Sequence, residues 1–315
     1  MTKLPAEGAP EGLTGEKPAN DQGRQLAAAL RPAAVAPLRW SKVLGPERRA
    51  FDIPWRELWA YRYLIFLLVQ RDITTTYKQT VLGPALFFLQ PFVTTVVFTL
   101  VFGNLANVPT DGVPSFLFFM SGVILWTFFA SCLTRTATTF TTNGSLFSKV
   151  YFPRLALPIS VVLNSLVTFA LQFVFLLGFF IYFWSRGAAL DPNWRLLILP
   201  LLLFQMSALA LGLGCAVAAF TCRFRDLGML VPIGVQLWMY GSCVVYPLSK
   251  IPVQWRWCLL LNPMVPVIEG FRFSFLGVGS VEIWQLALSF AASLVVLLVG
   301  IGLFHRAEKI SVDTI

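Results

Sequence analysis

Long stretches without a charged side chain recur along this chain, and they constrain its fold more than any other feature. The first, Val81–Phe102, runs for 22 residues without a charge. As a helix it measures about 33 Å at 1.5 Å per residue, which matches the hydrocarbon core of a bilayer. Because lipid offers the backbone no hydrogen-bond partners, such stretches cross a membrane as helices. We predict six membrane-spanning helices, at about residues 81–102, 115–133, 158–184, 196–220, 227–247 and 283–304.

The composition agrees with a multi-pass membrane protein of the all-α class. Of the 315 residues, 57% are hydrophobic and 12% are charged, and the mean hydropathy is +0.73. Soluble domains carry about 25% charged residues. The net charge of +9 does not indicate a nucleic-acid partner, because twelve of the 24 Lys and Arg are scattered before residue 80. Topology and anionic lipid explain a basic segment in that position.

The distribution of Lys and Arg also predicts the orientation. With the N-terminus inside, 19 of the 24 basic residues fall on cytoplasmic segments and five on outer segments, so we expect both termini in the cytoplasm. Residues 1–45, rich in Pro, Ala, Gly and Glu, are expected to form a disordered cytoplasmic tail. The apolar run Leu26–Leu30 in this tail is too short for a signal peptide, so we expect no cleaved signal.

A helix at the membrane surface is predicted before the first span, over residues 54–70. Pro54 suits a first helical turn, and the aromatic residues here alternate with charged ones. Its continuous apolar run, Leu64–Val69, is far too short to cross a bilayer. Trp, Tyr and Arg suit the boundary between headgroups and acyl chains. We expect an amphipathic interface helix followed by a polar elbow at Arg71–Thr80, and a plain juxtamembrane anchor is the alternative.

Two connections between spans carry further information. Residues 134–154 form a polar cytoplasmic loop, in which residues 145–151 are expected to form a short helix that contacts a partner; an ordinary connector is the alternative. Residues 248–281 are half apolar but contain three prolines and charges. We expect a pair of re-entrant helices there, at about 250–279. Glu269 and Arg272 are spaced to pair on one helical face, and a surface ion pair at the interface is the alternative.

Several kinds of chemistry are absent from the sequence. It contains no phosphate-binding G-x-x-x-x-G-K-[S/T] motif, so this chain should not bind ATP in that way. A single histidine and five cysteines without metal-ligand spacing indicate no metal site. No span carries a central charge, which argues against a proton- or sodium-coupled carrier. Gly212-Leu213-Gly214 lies inside a span, where close helix packing explains it better than phosphate binding.

The spans are rich in aromatic residues and carry a few uncharged polar ones. Aromatic faces along a passage could stack on sugar rings, and lipid contact or helix packing is the alternative for most of them. The candidates for a lining role are Phe88, Phe92, Phe119, Trp126, Trp238 and Tyr246. Uncharged polar groups should face protein or a cavity, since they are costly when unpaired in lipid; they are Gln90, Thr94, Thr95, Asn164, Gln172 and Gln236.

Four runs of sequence, in order, carry a resemblance to a known family. They are RDITTTYKQTVLGPALFFLQP, FTLVFGNLANVPTDGVPSFLFFMSGVILWTFF, NGSLFSKVYFPRLALPIS and LNPMVPVIEGFRFSFLG. Through these four runs, the chain resembles the permease subunits of type-2 ABC exporters that move O-antigen, capsular polysaccharide and teichoic-acid precursors. The resemblance covers roughly residues 54–310. It departs from the usual pattern at Pro84, which follows Gly83 where a bulkier residue is usual.

The resemblance implies a half-transporter in the bacterial inner membrane. Two copies of this chain would form a channel as a homodimer, and two separate ABC ATPase subunits would bind ATP and Mg²⁺, so this chain would need no cofactor. The substrate would be an undecaprenyl-linked polysaccharide. By the same resemblance, Asn262, Glu269 and Arg272 would belong to an outer gate. The contacts with the ATPase would come from Trp55, Arg56, Arg62, Arg71, Asp72, Ser145, Lys149 and Tyr151.

Two other classes of function remain open at this point. An exporter of the same fold could move a drug or a simple lipid. An intramembrane transferase acting on lipid-linked sugars would need a base or a carboxylate cluster near the interface. The outer acids Asp191, Glu269 and Glu282 are scattered in the sequence, which makes the transferase the weaker alternative.

Overall fold

The computed structural model describes residues 55–78, 85–143, 152–188, 190–191, 194–224 and 226–312, and all regular structure in these ranges is helical. A π-helix, Thr99–Leu105, follows the third helix, and short 3-10 turns lie at Trp194–Ile198 and Leu248–Lys250. The α-helices are α1 (Trp55–Ala60), α2 (Arg62–Lys78), α3 (Ala85–Phe98), α4 (Ser115–Ala137), α5 (Thr139–Thr142), α6 (Ala156–Ser185), α7 (Leu199–Thr221), α8 (Leu227–Tyr240), α9 (Val253–Leu260), α10 (Met264–Phe275) and α11 (Ile283–Val312).

Helix α4 is the central element of the described structure. Every residue from Leu117 to Trp126 is buried, and the helix contacts α3, α6, α7, α8 and α10. A helix that is apolar on all sides is stable only when other elements, or lipid, cover each side. The uniform hydrophobicity of this stretch therefore reflects a position in the middle of the helical bundle.

Glycines allow the closest helix contacts. Gly212 of α7 lies against the backbone of α11 near Leu297, and a side chain at Gly300 of α11 would overlap with the Gly212 backbone. On the other side of α7, a Cβ at Gly214 would lie 2.6 Å from the Cβ of Thr136 in α4. Small residues permit such close approach between membrane helices. The prediction that Gly212 and Gly214 serve helix packing is confirmed.

Five helices in the described ranges are long and apolar enough to cross a membrane: Phe87–Leu105, Ser115–Ala137, Ala156–Ser185, Arg195–Thr221 and Ile283–Ala307. They correspond to five of the six predicted spans. Helix α8, where the other span was predicted, has only 14 residues, about 21 Å. It ends at Tyr240 rather than at Pro247. Beyond it the chain turns, and Cys243 adopts the left-handed region with φ 55°, which no α-helix accommodates.

The segment before the first span is helical for longer than its polarity indicates. Helix α1 ends at Ala60, and α2 runs to Lys78, so most of the predicted elbow at Arg71–Thr80 is helix. Leu58, Ile65 and Leu68 are buried, and α2 packs against α6. The opposite face exposes aromatic and aliphatic side chains, namely Trp59, Tyr63, Phe66 and Leu67. Such a face requires lipid or another protein to cover it.

Helix α3 contains a proline whose effect on the backbone is offset by another helix. Pro91 has no N–H to donate to the carbonyl of Phe87, four residues earlier. Gln172 of α6 donates its side-chain Nε2–H to that carbonyl at 3.1 Å. The amide therefore fixes α3 against α6 at the position where the helix lacks its own hydrogen bond. The prediction that Gln172 faces protein is confirmed.

Candidate functional site

A cavity of about 620 Å³ lies between α3, α4, α6 and α8, and Ile73 of α2 reaches its edge. Its wall is unusually polar for a region inside a set of membrane helices. Amides and hydroxyls from four different helices line it together with the indole of Trp126. The lining polar side chains include Gln90, Thr94, Thr127, Asn164, Thr168 and Gln236.

The cavity accounts for the uncharged polar residues that the sequence places within spans. Gln90, Thr94, Asn164, Gln172 and Gln236 all line it. Thr95, in contrast, is fully buried and donates its hydroxyl to the carbonyl of Pro91 at 2.7 Å. The prediction that these groups face protein or a cavity rather than lipid is therefore confirmed for all six.

An ion-pair network joins α2 to the edge of this cavity. Arg135, in the last turn of α4, lines the cavity and donates from Nη2 to Asp72 Oδ2 at 3.1 Å. Arg71 donates to the other oxygen, Asp72 Oδ1, from Nη2 at 2.8 Å and from Nε at 3.0 Å. With its amide oxygen oriented toward Arg135, Asn164 of α6 accepts from both terminal nitrogens, at 2.7 and 3.1 Å. Three helices are thus connected through one guanidinium.

The sequence indicates Asp72 as a functional candidate. It does not indicate Arg135 and Asn164, the two residues of the bundle to which this network connects Asp72. Arg135 was counted only as a basic residue of a cytoplasmic loop, and Asn164 only as a polar group in a span. A usable signal was present, because Arg135 is a single cation directly after an otherwise uncharged stretch. A cation in that position requires either solvent or an acidic partner from another element.

A second polar cluster holds α10 against the turn that follows α8. Arg272 is fully buried and forks between two consecutive carbonyls, donating from Nη1 to Cys243 and from Nη2 to Val244, each at 2.7 Å. Its guanidinium also lies over the ring of Phe118, 3.7 Å from the centroid. A planar fork of this kind matches paired oxygen acceptors better than a lysine can.

Glu269 completes the same cluster. Its Oε1 accepts from Arg272 Nη1 at 3.4 Å and from the backbone N–H of Leu248 at 3.2 Å. Both charged side chains are 1% exposed. The predicted pairing at i, i+3 is therefore confirmed, whereas the alternative of a surface ion pair is wrong. A buried pair has to be satisfied from several sides, and here the backbone of residues 243–248 supplies those partners.

Asn262 fixes the beginning of the same turn. Its Nδ2 donates to the carbonyl of Gly241 at 3.0 Å and to the hydroxyl of Ser242 at 2.9 Å, and its Oδ1 accepts from the backbone N–H of Met264 at 3.0 Å. The three residues predicted for an outer gate, Asn262, Glu269 and Arg272, therefore lie together. All three hold residues 241–248 to the start and the middle of α10.

Of the six aromatic candidates, one lines the cavity and the other five do not. Phe88 and Phe92 pack on Phe175 of α6 at centroid distances of 5.3 and 6.1 Å, and Phe119 is fully buried beside Phe98. Trp238 packs edge-on to Trp126 at 6.2 Å. The hydroxyl of Tyr246 donates to the carbonyl of Tyr240 at 2.8 Å. Among the six, Trp126 is the one that lines the cavity.

The residues predicted to contact an ATPase are described in part. Arg56 and Arg62 are exposed on α1 and α2, and the Arg62 guanidinium lies 4.8 Å from the ring centroid of Tyr63. Arg71 and Asp72 belong to the network with Arg135. Ser145, Lys149 and Tyr151 lie outside the described residues, as does the predicted short helix at 145–151. Nothing is described of the Trp55 side chain.

These features define the class of protein: a multi-pass helical membrane protein with a polar cavity between its helices and a further helix, α2, tied to the edge of that cavity by an ion pair. Comparison with protein families then gives the particular family. The family model of the ABC-2 type transporters matches residues 63–276 of the sequence, and the chain belongs to this family. The resemblance that the sequence motifs indicate is thereby confirmed.

Curated relatives agree with this assignment. The chain is 32% identical to the O-antigen export system permease protein RfbA of Myxococcus xanthus over 225 residues, covering 70% of this chain and 83% of the relative. It is 22% identical to the RfbA protein of Klebsiella pneumoniae over 78% of this chain and 92% of that one. It is 26% identical to the polysialic acid transport protein KpsM of Escherichia coli, covering 77% of this chain and 92% of that one.

Proposed function

We propose that this chain is the membrane-spanning half-channel of an ATP-driven exporter that moves a lipid-linked polysaccharide from the cytoplasm across the inner membrane. The observation that carries this proposal is the match, over most of the chain, to permeases named for O-antigen export and polysialic acid transport. The polar cavity, lined by amides and hydroxyls and by Arg135, supports it, because a hydroxyl-rich polymer requires hydrogen-bonding surfaces within the membrane. ATP hydrolysis belongs to a separate ABC ATPase, and no covalent chemistry occurs in this chain.

The proposed architecture follows the predicted topology. The five long helices and α8 give six crossings, with α8 and the turn after it together crossing as the fifth. Helices α9 and α10 re-enter the outer leaflet between the fifth and sixth crossings. Both termini lie in the cytoplasm. Two copies of the chain associate as a homodimer, and two ATPase subunits bind on the cytoplasmic side.

The mechanism we infer uses the two polar clusters as fixed links. Closure of the ATPase pair displaces the interface helix formed by α1 and α2. Because Asp72 of α2 binds Arg135 at the edge of the cavity, that displacement reaches α4 and, through Asn164, α6. At the outer side, the cluster of Asn262, Glu269 and Arg272 makes α10 and residues 241–248 move as one gate. The ATPase thus stabilises one of two channel states differentially.

The alternative functions are less well supported. An exporter of a drug or a simple lipid does not require a cavity whose wall is lined by amides and hydroxyls. The transferase requires a free carboxylate, but Glu269 is buried and engaged by Arg272 and by the backbone of Leu248.

Deletion of the gene tests the proposed function. We expect polysaccharide to disappear from the cell surface and lipid-linked polymer to accumulate inside, and a plasmid copy of the gene should reverse both effects. Deletion of the partner ATPase should give the same phenotype. Normal surface polysaccharide in the deletion strain, with no redundant exporter present, would exclude polysaccharide export and favour a drug or simple lipid as the substrate.

A further inference from the structure

An apolar groove of about 720 Å³ lies between the α1–α2 segment and the first half of α6. Its floor is buried, since Leu58 and Ile65 are 6% and 8% exposed, whereas Phe66 and Leu163 at its rim are 68% and 41% exposed. The groove is therefore concave and open along one side. A site of this shape and volume can hold one chain of a ligand, which a flat apolar face cannot.

The groove occupies one of two distinct faces of α2. Residues 62, 65, 66 and 69 line it, and their spacing places them on one side of the helix. Residues 64, 67, 68, 71 and 75 lie on the opposite side, where a second groove also contains the polar side chains of Gln70, Arg71, Thr74 and Thr75. The polar groups of α2 are thus concentrated away from the groove beside α6.

Arg62 is the exception in this apolar wall. Among the described residues that line the groove, it alone carries a charge, and no acidic side chain lies beside it there. Its Nη1 donates to the carbonyl of Trp59 at 3.2 Å, and its guanidinium lies 5.6 and 4.8 Å from the ring centroids of Trp59 and Tyr63. These contacts hold the guanidinium in place. Because a guanidinium has five N–H donors, one carbonyl leaves most of them available.

The chemistry of the groove defines its ligand. A wall of aliphatic and aromatic side chains favours a hydrocarbon chain, and a guanidinium favours a phosphate group. In the proposed topology the beginning of α6 lies on the cytoplasmic side, where the membrane leaflet carries anionic lipids. Exposed Trp59 and Tyr63 beside Arg62 suit the level of the headgroups. A molecule with one anionic head and a long apolar chain fits all of these features.

We propose that this groove is a binding site for an anionic phospholipid of the cytoplasmic leaflet, with one acyl chain between α2 and α6 and the phosphate on Arg62. The inference goes beyond the proposed function, because the bound phospholipid is not transported. It assigns Arg62 to a lipid rather than to the ATPase. The lipid fixes the spacing of α2 and α6, the two helices that Asp72, Arg135 and Asn164 also connect.

Photo-labelling with a lipid tests the site. The permease in complex with its ATPase is reconstituted into phosphatidylcholine vesicles that contain a trace of phosphatidylglycerol with a diazirine in one acyl chain. After irradiation and proteolysis, mass spectrometry locates the labelled peptides. We expect the label to concentrate on residues 58–69 and 159–170. Unlabelled phosphatidylglycerol should displace it at low mole fraction, although phosphatidylcholine is present in large excess.

Two substitutions with matched controls test the two parts of the site. Arg62→Gln should lower labelling of the groove about fivefold, the effect of one basic residue beside an anionic lipid. Arg56→Gln changes an exposed cation of α1 that does not line the groove and should have no effect. Ala170→Trp fills the groove without changing its charge and should also lower labelling. Val174→Trp, one turn further along α6 and outside the groove, should not.

Three outcomes would overturn the inference. Label that is spread evenly over the lipid-facing helices would mean that the groove holds only bulk lipid. Unchanged labelling in either Arg62→Gln or Ala170→Trp would exclude the proposed position. Displacement by undecaprenyl phosphate at a lower mole fraction than by phosphatidylglycerol would assign the groove to a polyprenyl carrier instead. Labelling is measured without export, so normal surface polysaccharide in the gene deletion strain would overturn the proposed function and leave the lipid site standing.

Thermal unfolding provides a second, label-free measurement. A ligand that binds the folded protein raises its unfolding temperature. We expect phosphatidylglycerol to raise the unfolding temperature of the unchanged permease and of Arg56→Gln, relative to phosphatidylcholine alone, and to have much less effect on Arg62→Gln. An equal rise in the two variants would overturn the role of Arg62 as the phosphate ligand.

Discussion

Arg272 is the largest of the fully buried side chains that the structure describes. Its guanidinium binds the carbonyls of Cys243 and Val244, and Cys243 itself has a left-handed backbone. A non-glycine residue in that region is strained, and strain of this kind persists only where the surroundings fix it. The fork of Arg272 supplies that constraint, so its main structural partner is the backbone of the turn rather than the carboxylate of Glu269.

Replacing Arg272 should therefore destabilise the protein in a way that no change at Glu269 repairs. Arg272→Met leaves two carbonyls without their donor and a buried carboxylate without its cation, and we expect a loss of about 3–5 kcal/mol. The double variant Arg272→Met/Glu269→Gln removes the unpaired charge but not the unpaired carbonyls. Thermal unfolding of the purified permease should show most of the loss in both variants. Full recovery in the double variant would mean that the charge pair, not the carbonyl fork, is decisive.

Gly122 is the residue of α4 that leaves room for this guanidinium. A Cβ at Gly122 would lie 2.7 Å from Arg272 Nη2 and 3.0 Å from the carbonyl oxygen of Val244. We expect Gly122→Ala to destabilise the protein by about 1–3 kcal/mol through overpacking. Gly178→Ala in α6 is the matched control, since no atom lies within 4 Å of its Cβ. Equal unfolding temperatures of the two variants would contradict the contact.

At the scale of elements, helix α2 does more than lie against the bundle. It continues to Lys78 and brings Asp72 to the last turn of α4, where Arg135 and Asn164 meet it. A partly exposed ion pair contributes only about 0–1 kcal/mol to stability. The main effect of the ion pair is therefore to fix the position of α2, because the pair connects this helix to the wall of the cavity.

Exchanging the two charges tests this connection. We expect Asp72→Arg and Arg135→Asp, each alone, to lower the amount of polymer exported per ATP hydrolysed, with unfolding temperatures close to that of the unchanged protein. The double exchange should restore part of the coupling. Arg223→Gln, which changes an exposed cation in the connection before α8, should have no effect. If the single exchanges leave coupling intact, the pair is only a surface contact.

The contact between α3 and α6 at Pro91 permits a thermodynamic cycle. Gln172 replaces the donor that Pro91 cannot provide to the Phe87 carbonyl. Gln172→Leu should cost about 1 kcal/mol of stability in the unchanged protein and distinctly less in a Pro91→Ala background, where the backbone can donate instead. The unfolding free energies of the four proteins give the coupling. Strict additivity would show that the side chain and the backbone do not share this carbonyl.

At the scale of the whole molecule, hydropathy predicts the long helices well, because composition alone determines whether a stretch can reside in lipid. It could not predict the end of α8, since the turn at Cys243 depends on Arg272, 29 residues further along. The polarity of Arg71–Thr80 indicated an elbow, yet Asp72 is satisfied by Arg135 of another helix and α2 continues. The prediction that Gln90, Asn164 and Gln236 face protein or a cavity is confirmed, because an amide that finds no partner in lipid is costly.

The outward surface of the molecule carries the last prediction. Helices α3 and α8, which flank the cavity, expose apolar side chains on their outer faces, including Val93 and Val97 on α3 and Ile233 and Leu237 on α8. In the proposed homodimer we expect these faces to lie at the contact between the two copies, which would turn both cavities toward a shared passage. A residue close to a two-fold axis meets its own copy in the partner, because the interface is isologous.

Cysteine crosslinking in membranes distinguishes this arrangement from a lipid-covered surface. With the native cysteines replaced, we expect Leu237→Cys to form a disulfide-linked dimer on mild oxidation. Leu298→Cys, which is similarly exposed but lies on α11, should remain a monomer under the same conditions. Adding the partner ATPase with a non-hydrolysable ATP analogue should change the rate of dimer formation at position 237, because residues 241–248, which the proposed motion displaces, directly follow α8. A dimer through position 298 instead would place the contact on α11, and the two cavities would then not share a passage.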